Sequence, residues 1–143
     1  MKETREAALE RVAAESYAYL TTRGRRTGRG HVIEIWFVVH RGAVYFMAGG
    51  GERADWVRNL RREAAVGVRF GTRGAPEHAA RGRVVDGAAE GELDSAVRRA
   101  MAAKYQGWRA GQPLGEWART ALVVEARPEI GDAREARLAS SEA

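Results

Sequence analysis

Cysteine is absent from this chain of 143 residues. That excludes disulfides, thiolate metal sites, iron–sulfur clusters and thiol nucleophiles. It is compatible with a reducing cytoplasm, which is the expected location. No apolar run approaches the ~20 residues of a membrane span. The N-terminus, Met1–Glu6, is charged and leads into a helix pattern, so it does not read as a secretory signal. Histidine is scarce: His31, His40 and His78 make no metal-ligand spacing, and no paired carboxylates accompany them. A Ser-His-Asp constellation, a Walker loop and a Gly-x-Gly-x-x-Gly fingerprint are all missing. With no set of groups for acid–base or nucleophilic chemistry, any enzymatic reaction would fall to a bound cofactor.

Lysine is nearly absent too. Lys2 and Lys104 stand alone, and the net charge of +5 is carried by arginine. Its distribution matters more than its total. The window Ser16–Ile33 holds Arg23, Arg25, Arg26 and Arg29 and no acidic residue. Elsewhere acids and bases are interspersed. The pattern describes a local cationic site on an otherwise mixed surface.

The length suits one domain, and residues 1–130 carry all the periodic segments. Residues 131–143 have little apolar content and are expected to form a disordered tail. Residues 3–16 have helical spacing through Ala8, Leu9, Val12 and Ala13. A strand is expected at Tyr17–Thr22, then a loop at Arg23–Gly30. Val32–Val39 is apolar on both faces except for Glu34, which predicts a strand in the middle of a covered or closed sheet. His40-Arg41-Gly42 is a hairpin turn into a strand at Ala43–Ala48. Gly49-Gly50-Gly51 breaks that strand, and a helix follows through Trp56, Val57 and Leu60. Further strands are expected at Ala65–Phe70, Glu77–Val85 and Thr120–Ala126. The longest helix is expected at Glu90–Arg109, with Leu93, Val97, Met101 and Tyr105 four apart. The order lacks a regular βαβ alternation. It predicts an α+β fold, mainly β: a small closed barrel of about six strands with helices packed outside.

Several residues are candidates for chemistry. Arginine guanidinium groups pair with phosphate or carboxylate in a forked geometry, and Thr22 or Thr27 can add a hydroxyl. Glycines at 24, 28 and 30 let main chain approach an anion; the competing reading is a solvated hairpin tip. Ala48 to Gly51 before a helix offers unpaired N–H groups and room for a flat ring, or is a flexible lead into the helix. Trp56 reads as core packing, while Asn59 either ties its helix to the barrel or touches ligand. Tyr105, Trp108 and Trp117 line a pocket or cap the barrel end. Glu34 is a general acid or the partner of a structural arginine.

The order and spacing of Leu20-Thr21-Thr22-Arg23-Gly24-Arg25-Arg26-Thr27-Gly28-Arg29, of Gly49-Gly50-Gly51 and of Trp56-Val57-Arg58-Asn59-Leu60 resemble the deazaflavin (F420)-dependent nitroreductase family, within the FMN-binding split β-barrel superfamily. Tyr105–Glu125 is a fainter match. The resemblance implies a split barrel that binds coenzyme F420, with FMN as the alternative. It implies that Arg23, Arg25, Arg26, Thr27 and Arg29 meet the anionic arm, that Ala48, Gly49, Gly50 and Gly51 lie along the ring and phosphate, and that Trp56 and Asn59 pack beneath. It also implies that Tyr105 and Trp108 border the substrate, with Tyr105 a candidate proton donor. The activity implied is hydride transfer from reduced F420 to a quinone, nitroaromatic or enone, in a homodimer. The sequence departs from the family pattern at Arg26, often lysine, at Gly30, often proline, and in lacking a Ser-Lys pair near Gly49–Gly51. A non-catalytic flavin carrier shares these features. A nucleic-acid-binding barrel would use the same arginines, but it needs exposed stacking aromatics, and those here sit within apolar patterns. No nucleic-acid partner is expected.

Overall fold

The structure, a computed structural model, describes residues 3–131; of the expected tail at 131–143, all but Gly131 lies outside them. Seven antiparallel strands form one sheet: β1 (Ala18–Arg23), β2 (Gly30–Ile35), β3 (Val38–His40), β4 (Ala43–Ala48), β5 (Ala65–Phe70), β6 (His78–Val84) and β7 (Leu122–Pro128). Four helices accompany it: α1 (Arg5–Val12), α2 (Asp55–Arg62), α3 (Gly91–Tyr105) and α4 (Glu116–Thr120). The spatial order is β2-β1-β5-β6-β7-β4-β3. The two outermost strands, β2 and β3, are consecutive in sequence and separated only by Trp36 and Phe37. So short a connection between opposite edges requires the sheet to curl until those edges approach at one corner. This is the split barrel that the family resemblance implies.

Two expectations are corrected here. Val32–Val39 is not one strand in the middle of the sheet. It breaks at Trp36-Phe37 into β2 and β3, and both are edges. The reason lies in the main-chain hydrogen bonds. The Phe37 N–H donates to Tyr105 Oη at 3.1 Å, and its carbonyl accepts from Lys104 Nζ at 3.0 Å. Two side chains of α3 thus replace the ladder bonds that a continuous strand would need. The strand covered on both faces is β4, buried at every position. Its Val44, Phe46 and Ala48 fill the barrel beside Leu20, Val68 and Val124, while Ala43, Tyr45 and Met47 pack with Val97 and Met101 of α3. Glu34 is the second correction. On an edge strand it is exposed, and it accepts a hydrogen bond from Tyr19 Oη at 2.8 Å rather than meeting an arginine.

Among the described residues the buried carboxylate is Glu125 on β7, 2% exposed. It accepts from Tyr45 Oη at 2.8 Å and from Arg83 and Arg127. These partners hold its pKa below the usual carboxylate range against the opposing effect of burial.

Helix boundaries are shorter than the periodicity suggests. α1 starts where the Thr4 hydroxyl accepts from Ala7 N and ends at Val12. α4 was not expected from the sequence. The β3–β4 turn is the predicted one, with Arg41 at φ 48° and Gly42 at φ 77°. α2 lies across β1 and β6. Leu60 is buried against Gly82, where a Cβ would overlap Leu60 Cδ1.

Candidate functional site

The arginine loop is a tight structure. Gly24 N donates to Arg29 O at 2.7 Å and Gly28 N to Gly24 O at 2.8 Å, closing residues 24–29 over the β1–β2 hairpin. Gly28 has φ 72°, a conformation that L side chains rarely adopt. A side chain on Gly24 would strike His31 Nε2 at 2.6 Å. Asn59 of α2 anchors the loop from below. It is 5% exposed, its Nδ2 donates to Thr22 Oγ1 at 3.2 Å, and its Oδ1 accepts from Arg25 N at 3.2 Å and Arg25 Nη1 at 3.0 Å. Of the two roles open to Asn59 in the sequence, the structure shows it tying helix to barrel.

Between this loop and α2 opens a cleft of about 860 Å³. Its lining combines the polar Arg25, Arg26, Thr27, His31 and Asp55 with the apolar Val32, Ile33 and Trp56. Trp56 is half-buried against the barrel core, with part of its surface in this cleft. The arginines differ in their freedom. Arg25 is held by Asn59 and pairs with Asp55 at 3.1 Å. Arg23 donates to Gly28 O at 3.3 Å and lines a second, smaller cleft with Arg25, Arg62 and Glu63. Arg26 and Arg29 are exposed and meet no carboxylate among the described residues. Thr27 Oγ1 accepts from Arg29 N at 3.3 Å.

The remaining candidates gather elsewhere. Ala48 is buried at the end of β4, opposite Leu122. Gly49–Gly51 do not line the arginine cleft. A Cβ on Gly49 would meet the Trp117 indole nitrogen at 3.1 Å, and Gly51, at φ 58°, opens a 3₁₀ turn through Arg53. The first N–H groups of that turn have no partner within it. Trp117 stands edge-on to Trp36 at 5.5 Å, and Trp36 stacks on Tyr105 at 4.4 Å with the rings 4° from parallel. The structure therefore joins Gly49, Trp117, Trp36 and Tyr105 into one aromatic wall. The Tyr105 hydroxyl donates to Ser16 O at 2.8 Å or Phe37 O at 3.1 Å. Burial raises its pKa. Trp108 is apart from this stack, its indole N–H donating to Gln112 O at 2.8 Å.

Sequence reading missed three participants. Asp55 was only the first residue of a helix pattern. Trp36 was one apolar residue in a run. Lys104 Nζ sits 3.8 Å from the Phe37 ring centroid and donates to Ala13 O and Phe37 O. The one available signal was that Lys104 is an isolated lysine in an arginine-rich chain.

The donor set suits a ligand with an anionic arm and a flat ring. Guanidinium groups and a threonine hydroxyl serve the arm, and Trp56 with Val32 and Ile33 offers apolar surface to the ring.

The curled antiparallel sheet with outer helices is a split barrel, a fold shared with solved structures. It matches a conserved hypothetical protein from Mycobacterium tuberculosis (TM-score 0.66, 17% identity, 86% of this chain and 79% of that one). It also matches an F420 reductase (TM-score 0.54, 19% identity, 86% and 94%). The heme storage protein HutZ from Vibrio cholerae is similar as well (TM-score 0.64, 17% identity, 92% and 93%). At these identities the likeness is one of fold. Among curated proteins none matches the sequence significantly. Residues 3–113 match the F420H(2)-dependent quinone reductase family, and the chain belongs to that family. The resemblance seen in the arginine, glycine and tryptophan motifs is thereby borne out. Membership supports an F420-dependent oxidoreductase activity, with coenzyme F420 as cofactor. No helix among the described residues is long and apolar enough to cross a membrane.

Proposed function

We propose that the protein transfers a hydride from reduced coenzyme F420 to a small electrophilic acceptor of the quinone, nitroaromatic or enone type. The observation that carries this reading is the acid-poor arginine cleft beside Trp56, in a chain of the F420H(2)-dependent quinone reductase family. F420 would supply the hydride; the protein's own part is position and a dry surface. Arg26 and Thr27, with Arg23, Arg25 and Arg29 around them, hold the anionic arm. Trp56 and Asn59 support the cofactor from α2. The main chain of Ala48–Gly51 and the Trp36–Tyr105–Trp117 wall, with Trp108 nearby in sequence, border the ring and acceptor. The Tyr105 hydroxyl is committed to main-chain groups, which favours its ring over its proton as the part that serves substrate.

We also propose a single domain through residue 130, a cytoplasmic location and a homodimer. The support for pairing is that both outer strands have an edge without a partner among the described residues, and that Val32 on β2 is 39% exposed.

The test is to purify the protein, identify any bound chromophore by mass spectrometry, and titrate it with F420 and with FMN. Tight F420 binding with turnover of a quinone is the expected result. Arg26→Ala should weaken that binding about tenfold or more, since a charge-assisted contact contributes roughly 1.5–3 kcal/mol. Its exposed side chain leaves the melting temperature unchanged. Preferential FMN binding would defeat the cofactor assignment, and binding without turnover would leave a carrier.

A further inference from the structure

Within the arginine cleft one carboxylate is out of place. Asp55 lines the same cavity as Arg25, Arg26 and Thr27, and its Oδ1 sits 3.1 Å from Arg25 Nη2. The Asp55 side chain is 83% exposed, whereas that of Arg25 is 25% exposed. The guanidinium is fixed from behind, because Asn59 Oδ1 accepts from both Arg25 N and Nη1. Asp55 opens α2 yet makes no hydrogen bond to the helix's free N–H groups. Its one polar partner among the described residues is therefore the arginine of the cleft. A fixed cation facing a loosely held carboxylate is an arrangement for exchange: the anion can leave without moving the cation.

We propose that Asp55 is a resident counter-anion of the cleft, displaced from Arg25 by an anionic group of the ligand. This rests on reading the cleft as the cofactor's anion site. Displacement sets a cost that every such ligand meets. A lone monoanion that takes the carboxylate's place exchanges one ion pair for another and gains little. A ligand with several negative charges also reaches Arg26 and Arg29, which no carboxylate of the described chain neutralises. Asp55 thus lowers the affinity of every anion that takes its place on Arg25, and a polyanion offsets that cost through Arg26 and Arg29.

The experiment compares the full chain with Asp55→Asn, in low salt. F420 and FMN are titrated by absorbance, inorganic pyrophosphate by calorimetry. Exposed ion pairs are weak, so removing the competitor should tighten each ligand about two- to fivefold. The gain should shrink as salt rises. It should vanish in an Arg25→Gln background, because no pair is then left to break. Unchanged or weaker binding by Asp55→Asn would overturn the proposal. So would a gain that persists in full without Arg25, since that reports only the general field. If Arg25→Gln fails to fold, Glu52→Gln serves instead. It removes a nearby acid that pairs with Arg61, not Arg25, and the proposal requires it to leave affinity unchanged. If the parent binds neither flavin, the cofactor reading fails while the pyrophosphate comparison still decides the exchange. Pyrophosphate binding to neither protein overturns the exchange as well.

Discussion

Asn59 carries more of the site than its size suggests. One buried amide satisfies Thr22 on β1 and fixes Arg25 through both main chain and guanidinium. Asn59→Ala leaves a buried hydroxyl and a buried N–H without partners, which costs about 1–3 kcal/mol. The expected result is a lower urea midpoint together with weaker F420 binding. Loss of stability with affinity intact would show that Arg25 does not need its anchor. Lys104 is the second decisive residue. Burial lowers its pKa from 10.5 to about 8, with Glu15 opposing the shift. Its folded value lies below its unfolded one, so between those pH values the unfolded chain binds more protons, and stability rises with pH across that window. Urea unfolding at pH 8 and pH 10 should show the rise in the parent and lose it in Lys104→Met. Equal slopes in both proteins would mean that the ammonium is well solvated.

At the scale of elements, the cleft depends on how closely α2 approaches the sheet. Gly82 on β6 makes that approach possible, because Leu60 occupies the volume where a Cβ would stand. Gly82→Val therefore lifts the helix. Overpacking of this kind costs about 1–3 kcal/mol. It should also shift Asn59 and Trp56 away from the loop, weakening cofactor binding beyond what the lost stability explains. Restoring affinity by adding Leu60→Ala to the same chain is the check. If Gly82→Val binds as the parent does, the seat of α2 is not what shapes the cleft. The break at Trp36-Phe37 is the other element-scale device. It turns one apolar run into two edges and stacks Trp36 on Tyr105.

For the whole molecule, curling closes the barrel interior but leaves β2 and β3 with edges that no strand among the described residues pairs. Val32 on β2 is 39% exposed, one of two large apolar side chains left exposed among the described residues; the other, Tyr17, precedes β1. Such an edge is ordinarily paired, covered or charged. Light scattering at micromolar concentration should return twice the chain mass of 15.7 kDa. A charge placed by Val32→Lys should shift the population toward monomer. A parent protein that scatters as a monomer would remove the dimer from this picture.

Local chemistry was enough to identify much of this protein. Alternation and turn residues located the strands and the Arg41-Gly42 hairpin. An acid-free run of arginines marked the cationic loop, and glycine and tryptophan motifs in order pointed to the family. These features depend on neighbours along the chain, so the sequence displays them. What required the tertiary structure were the long-range partners. Glu34 and Glu125 are both carboxylates within strand patterns, yet one is exposed on an edge and the other buried among Tyr45, Arg83 and Arg127. Only the strand order distinguishes them. Val32–Val39 has the period of a single strand. Its break is imposed by Lys104 and Tyr105, almost seventy residues away, which take over the hydrogen bonds of Phe37. Asp55 became part of the cleft in the same way, because the fold of α2 across β1 brings its carboxylate to Arg25. Periodicity records which face of an element is apolar; which other element supplies its charges and hydrogen bonds is decided by packing.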